Sequence, residues 1–170
     1  MARGDQFLMG QRPGSSSSAY AAEGLDRREA AGGDDAPFAR QLGDMRKVVV
    51  SRQQLELSWR NSELIKGDLL DAVTSLKADA GIRGILIPGS ISVVQQLLGA
   101  GLVDELRLLV HPVAARKGRR LFDDGDAPYH LKMTATEGFP TGVIRVIYSP
   151  AKAPAKAGYD EGKDQVPGRE

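Results

Sequence analysis

Two short runs constrain this chain more than anything else in it. Lys47 to Val50 ends in three consecutive valines, and Gly84 to Ile87 is apolar at successive positions. A strand with one wet face alternates apolar and polar side chains; a strand covered on both faces does not need to. Both runs therefore predict buried strands of a parallel sheet. Between them, Leu69, Leu70, Val73 and Leu76 recur at helical spacing from Asp68 to Ala78, with Asp68 placed to cap the helix. After Pro88-Gly89, Ser90 is placed to cap a second helix, which carries Val93, Val94, Leu97 and Leu98 and stops at Gly99 to Gly101. Glu105 to Val113 is a third strand. Leu131, Met133 and Ala135 alternate in a fourth, and Val143 to Tyr148 form a fifth across a turn containing Gly138, Pro140 and Gly142. Strand, helix, strand, helix, strand implies parallel pairing through right-handed crossovers. The short last connection makes the final two strands antiparallel. The expected architecture is an α/β sandwich, mostly parallel, with an antiparallel C-terminal hairpin.

The flanks differ in texture. Residues 1–44 open with a short apolar strand, Phe7 to Met9, then pass through Gly14, the serines Ser15 to Ser18 and a charged Gly/Ala stretch. A helix is expected near Pro37 to Gly43. Residues 150–170 hold almost no large apolar side chains, so a disordered tail is expected after a domain spanning 1–149. The chain has 170 residues, 41% of them hydrophobic, which suits one domain with a real core. Lys and Arg number 23 against 22 for Asp and Glu, so nothing in the overall charge calls for nucleic acid or an anionic membrane, and an anion site must be local. The chain has no cysteine, which excludes disulfides, thiolate catalysis and cysteine zinc sites. Its two histidines are too isolated for a metal cluster. No signal-like or membrane-spanning window is present, which fits a cytoplasmic protein.

Ligands of open α/β sheets bind beyond the carboxyl ends of the strands, where helix N-termini present free N–H groups. Three stretches fall there. Ile87-Pro88-Gly89-Ser90-Ile91 runs from strand through glycine into a helix start: either a plain turn with a serine cap, or an anion cradle at Gly89, Ser90 and Ile91. Ser51-Arg52 follows a buried strand directly: either an ordinary surface arginine, or a hydroxyl and a planar guanidinium suited to a phosphate monoester. Met9-Gly10-Gln11-Arg12 follows the first strand, with amides that suit a pyrophosphate. Structural roles are expected for His111, within strand alternation, and for Trp59, in packing. His130, Asp104-Glu105 and the basic group Lys117, Arg119 and Arg120 read as solvated surface.

The run FARQLGDMRKVVVSR, then WRNSELIKGDLLDAVTSLK, then GILIPGSISVVQQLLGAGLVDELRLLVHPV, then RRLF, resembles the dihydrofolate reductase-like family. The branch it is most similar to is the one related to the reductase domain of bacterial riboflavin biosynthesis. The resemblance covers about residues 5–149. It implies a three-layer α/β/α sandwich and an NADPH-dependent reductase passing hydride to a small heterocyclic or carbonyl substrate. It implies that Ser51 and Arg52 meet the adenosine 2′-phosphate and that Gly89, Ser90 and Ile91 approach the pyrophosphate and nicotinamide. It also implies that Gly10, Gln11 and Arg12 grip the cofactor from a neighbouring strand end, and that two copies pair as a homodimer.

The departures concern the same places. The family usually has two glycines where this chain has Pro88-Gly89, and proline removes a backbone donor. Pro13-Gly14 and four serines replace a Thr-plus-aromatic helix start. Ala115-Arg116-Lys117-Gly118 replaces a glycine-rich turn. The family's first central strand and its substrate-side acid lie before a segment like Met9-Gly10, so the expectation is either an N-terminal truncation or a sheet position filled by other residues or a partner chain. No side chain is a secure proton donor. The competing expectations are a non-catalytic member that binds a nucleotide or a partner as a scaffold, and a regulatory or nucleic-acid domain using the basic loop.

Overall fold

The computed structural model describes residues 6–10, 26–52, 54–57, 59–125 and 127–153. Its elements in chain order are β1 (Gln6–Gly10), a helix α1 described over 26–31, α2 (Ala36–Asp44), β2 (Arg46–Ser51), β3 (Ser62–Lys66), α3 (Leu69–Ala78), β4 (Ile85–Leu86), α4 (Ile91–Gly99), β5 (Leu106–Val110), β6 (Leu131–Gly138) and β7 (Ile144–Pro150). Contacts group them into two compact units. One is Met1–Val103 with Ala115–Asp124; the other is Asp104–Ala114 with Gly125–Glu170.

The first unit is a parallel sheet of order β3-β2-β1-β4. Its register pairs Leu8 with Val48, Phe7 with Leu86 and Ser51 with Lys66. The valine run behaves as its pattern demands: Val48, Val49 and Val50 are all buried. Val48 and Val50 point to one face, where they meet Leu8, Ala72, Val73 and Leu76 of α3 and Val93 and Leu97 of α4. Alternation sends Lys47 and Val49 to the other face, which carries Trp59 packed by Leu42, Met45 and Leu86. Helix α2 thus lies opposite α3 and α4, and the unit has the three layers of an α/β/α sandwich.

The helix ends are chemically specified. Asp68 caps α3, its carboxylate accepting from the Leu70 N–H at 2.9 Å. Helix α4 ends in a Schellman arrangement: Leu102 N–H donates to Leu97 O, Gly101 N–H to Leu98 O, and Gly101 takes φ 67°, which glycine tolerates best. Ser90 occupies the N-cap of α4, but its hydroxyl does not cap. It lies 2.9 Å from the Ser92 hydroxyl, so the expected cap is replaced by a serine–serine bond.

The C-terminal end of α2 is closed by Lys47, a wholly buried lysine. Its ammonium donates to Gly43 O and Met45 O, both at 2.7 Å, and to Arg60 O at 3.0 Å, and it sits 4.5 Å from the Trp59 ring centroid. Three donors meet three carbonyls, and a cation near a helix C-terminus is favourably placed.

The second unit is an antiparallel sheet of order β5-β7-β6. The β6–β7 hairpin is as expected, with an irregularity between Met133 and Ala135. The third strand of the sequence reading is corrected: β5 pairs antiparallel with β7 and joins this sheet, not the parallel one. It also ends at Val110, so His111 lies beyond the strand and is exposed. Strand β3 had not been expected. Among the described residues the end strands, β3 and β4 of one sheet and β5 and β6 of the other, are each hydrogen-bonded to one neighbour. No described helix is long and apolar enough to cross a membrane.

Candidate functional site

Because β1, β2, β3 and β4 are mutually parallel, their carboxyl ends share one edge of the sheet. Strand β1 stands in the middle, with β2 on one side and β4 on the other. That order gathers three of the sequence candidates. Gly10 closes β1 and pairs with Val50, one residue before Ser51. It also lies as far beyond Phe7 as Gly89 lies beyond Leu86, the partner of Phe7. Gln11 and Arg12 fall outside the described residues.

At the β4 end, Gly89 has φ 151°, a backbone region that residues with a side chain rarely adopt, and the Gly89–Ser90 peptide is cis. A Cβ built on Gly89 would find only the Ile91 amide nitrogen, at 4.0 Å. The first N–H groups of a helix have no intrahelical acceptor, and α4 opens here with no acidic residue in its first turn. An anion can therefore approach the backbone at Gly89, Ser90 and Ile91, where the helix dipole favours it. Pro88 takes one donor from this turn, as the sequence indicated. The basic loop with Lys117, Arg119 and Arg120 is tied to α4, since Gln95 donates to Arg120 O at 3.2 Å.

At the β2 end, Ser51 is half-buried and Arg52 exposed. Gly67 N–H donates to Ser51 O at 3.4 Å, joining this strand end to the β3 turn. Arg52 reaches across the same junction and donates to Asp68 Oδ2 at 3.1 Å. The Leu70 N–H and then the Arg52 guanidinium hold the Asp68 carboxyl below the usual carboxylate range. Asp68 was legible as a helix cap; its contact with Arg52 was not. An open groove of about 480 Å³ begins at the same turn, and Ile65, Lys66, Gly67 and Asp68 are part of its lining. Gly67, at φ 140°, has open space where a Cβ would stand.

This edge combines an arginine guanidinium, two glycine turns and a helix start, groups whose N–H donors suit an anion. Residues 26–145 match the model of the RibD C-terminal domain. The chain belongs to that family, the reductase-domain family of riboflavin biosynthesis, which has the dihydrofolate reductase-like fold. It is 36% identical over 103 residues to the uncharacterized protein YyaP of Bacillus subtilis, matching 61% of this chain and 54% of YyaP, so it spans about half the length of that relative. Among solved structures, a protein of Shewanella sp. PV-4 assigned to riboflavin biosynthesis superposes with a TM-score of 0.62 at 21% identity, over 88% of this chain and 76% of that one. A pyrimidine reductase-like protein of Corynebacterium diphtheriae gives 0.54 at 16%, over 88% and 77%. The deaminase/5-amino-6-(5-phosphoribosylamino)uracil reductase of Thermotoga maritima gives 0.58 at 16%, over 87% and 46%. These structures share the fold.

Proposed function

We propose that the carboxyl edge of the parallel sheet binds NADPH and that the chain is a reductase acting on a small heterocyclic or carbonyl substrate. The observation that supports this most is the strand order, which sets the ends of β2, β1 and β4 side by side. Arg52 and Ser51 receive the adenosine 2′-phosphate, Arg52 through its planar fork and Ser51 through its hydroxyl. Gly10, with Gln11 and Arg12 after it, lies against the pyrophosphate from the central strand. Gly89 lets the backbone come close, and the amides of Ser90 and Ile91 hold the far side of the cofactor with the α4 dipole behind them. The space beside Gly89 and the exposed guanidinium fit such a ligand. The nicotinamide supplies the hydride; the protein orients it and sets the charge around it.

Titration of the full chain with NADPH and with NADH, read by calorimetry, tests the reading. NADPH is expected to bind more tightly. Replacing Arg52 with Gln removes a charge-assisted contact to phosphate and is expected to weaken NADPH about ten-fold more than NADH. Absence of NADPH binding, or equal affinity for both cofactors, overturns it.

A further inference from the structure

We infer that Asp68 is a specificity-determining residue of the adenosine end of this site, opposing Arg52 and keeping a 2′-hydroxyl acceptable where Arg52 favours a 2′-phosphate. The inference rests on the cofactor reading above. The two side chains come from the ends of adjacent strands, β2 and the turn after β3, and share one exposed spot. Arg52 is 83% exposed and Asp68 43%, and the contact runs through a single guanidinium nitrogen. An exposed, one-pronged ion pair of this kind holds its partners weakly, so an incoming ligand group competes for Arg52 readily.

What the carboxylate does to such a ligand follows from its charge and its lone pairs. It offsets part of the Arg52 charge that a phosphate would use, and it repels the phosphate itself. Toward a hydroxyl it acts the other way. Oδ1 accepts from Leu70 N–H and Oδ2 from Arg52, and the Asp71 N–H is a third donor to the carboxylate, which still leaves it one lone pair for a ribose O–H. A 2′-phosphate has no such proton to give when fully ionised. Both effects therefore push toward the unphosphorylated ribose, and Arg52 pushes against them. Asp68 is fixed for this task by the helix it caps, because rotation away would leave the Leu70 N–H without its acceptor.

The same geometry supplies a clean variant. Asparagine caps helices as well as aspartate, so Asp68→Asn removes the charge and leaves α3 closed. Asp68→Ser is a second, smaller capping variant. The measurement is the ratio of NADH to NADPH dissociation constants by calorimetry, with adenosine 2′,5′-bisphosphate and 5′-AMP as probes of the adenosine end alone. A circular-dichroism melt of each variant checks the helix. Asp68→Asn is expected to raise the preference for the 2′-phosphorylated ligand roughly five-fold, the size of one nearby charge at a wet surface. Arg52→Gln is expected to lower it. Asp68→Ser should follow Asp68→Asn, since both lack the charge. A ratio unchanged or lowered in both Asp68 variants, while the parent chain binds NADPH, overturns this inference alone. Failure of the parent chain to bind either cofactor overturns the cofactor reading and this inference with it.

Discussion

The parallel and the antiparallel sheets are built from strands of similar apolar content but bury them differently. In β2, four consecutive residues, Lys47 to Val50, are buried, and Leu8 beside them is fully covered. In β5 only Leu106 is buried, while Leu109 and Val110 are 60% and 50% exposed; Met133 of β6 and Ile144 of β7 are also exposed. The parallel sheet has helices on both faces, so Lys47 to Val50 of β2 find packing partners on either side. Among the described residues the antiparallel sheet carries no helix of its own unit. Rigidity should therefore concentrate in the parallel unit, whose carboxyl edge carries the candidate site. A binding site that has to hold its ligand to within fractions of an ångström belongs on the better-packed scaffold.

The most direct way to break that comparison is one leucine deletion in each sheet's unit. Leu97 is fully buried against the cluster of Leu8, Val48 and Val73. Leu97→Ala is expected to cost about 2–5 kcal/mol by lost transfer energy and a residual cavity. Leu109→Ala, at an exposed position, is expected to change stability by less than about 1 kcal/mol. Urea unfolding followed by circular dichroism measures both. Equal costs would mean that Leu109 is covered in solution and that the two sheets are not so different.

Lys47 sharpens the comparison within the parallel unit, because among the described residues it is the one buried charge. Burial, then the nearby Arg60, lowers its ammonium from 10.5 to about 8, while Asp44 and Asp26 oppose them. The three carbonyls and the Trp59 face also favour the charged form. Lys47→Met leaves those carbonyls unanswered and is expected to cost about 2–4 kcal/mol. The pH dependence has a definite sign. With the folded pKa depressed, the unfolded chain binds more protons between about 8 and 10.5, so this group's contribution to stability rises with pH across that window. Denaturation midpoints of parent and Lys47→Met at pH 7.5 and 9.5 should therefore diverge as pH rises. Constant separation would show that the folded-state pKa is near its ordinary value.

What was readable in the sequence divides along the same line. The valine run, the Gly84 to Ile87 run and the two helices between and after them stand out because double-sided burial leaves an uninterrupted apolar signal. The β6–β7 hairpin shows through its turn residues. Strand β3 does not, because Ser62-Glu63-Leu64-Ile65-Lys66 has only two large apolar residues and owes its form to pairing with β2. The antiparallel placement of β5 depends on β7, far ahead in the chain. Three of the candidate stretches could be located from strand ends alone, since a parallel sheet fixes which ends are carboxyl. The Arg52–Asp68 contact joins residues 16 apart through strand register, which no local pattern reports. Lys47 was read as one member of a buried strand; its role rests on carbonyls from α2 and from Arg60, which only the folded chain brings together.

The finest comparison is between two glycines, one in each unit, that both need a positive φ. Gly89 stands at φ 151° with nothing but the Ile91 nitrogen at 4.0 Å from a built Cβ; Gly142, in the β6–β7 turn, stands at φ 82° with Pro112 Cγ at 3.2 Å. Alanine at either position meets backbone strain of about 1–2 kcal/mol. At Gly142 the crowding against Pro112 adds to it, so Gly142→Ala should be the more destabilising of the two in a thermal melt. On NADPH affinity the order should reverse. A methyl on Gly89 would stand in the open space beside the α4 amides, where the proposed cofactor's phosphate would lie, and is expected to weaken binding several-fold. Gly142→Ala should leave affinity within experimental error. If Gly89→Ala bound NADPH as tightly as the parent chain, the space beside this turn would not be where the ligand lies, and the β4 end would drop out of the site while Arg52 remained in it.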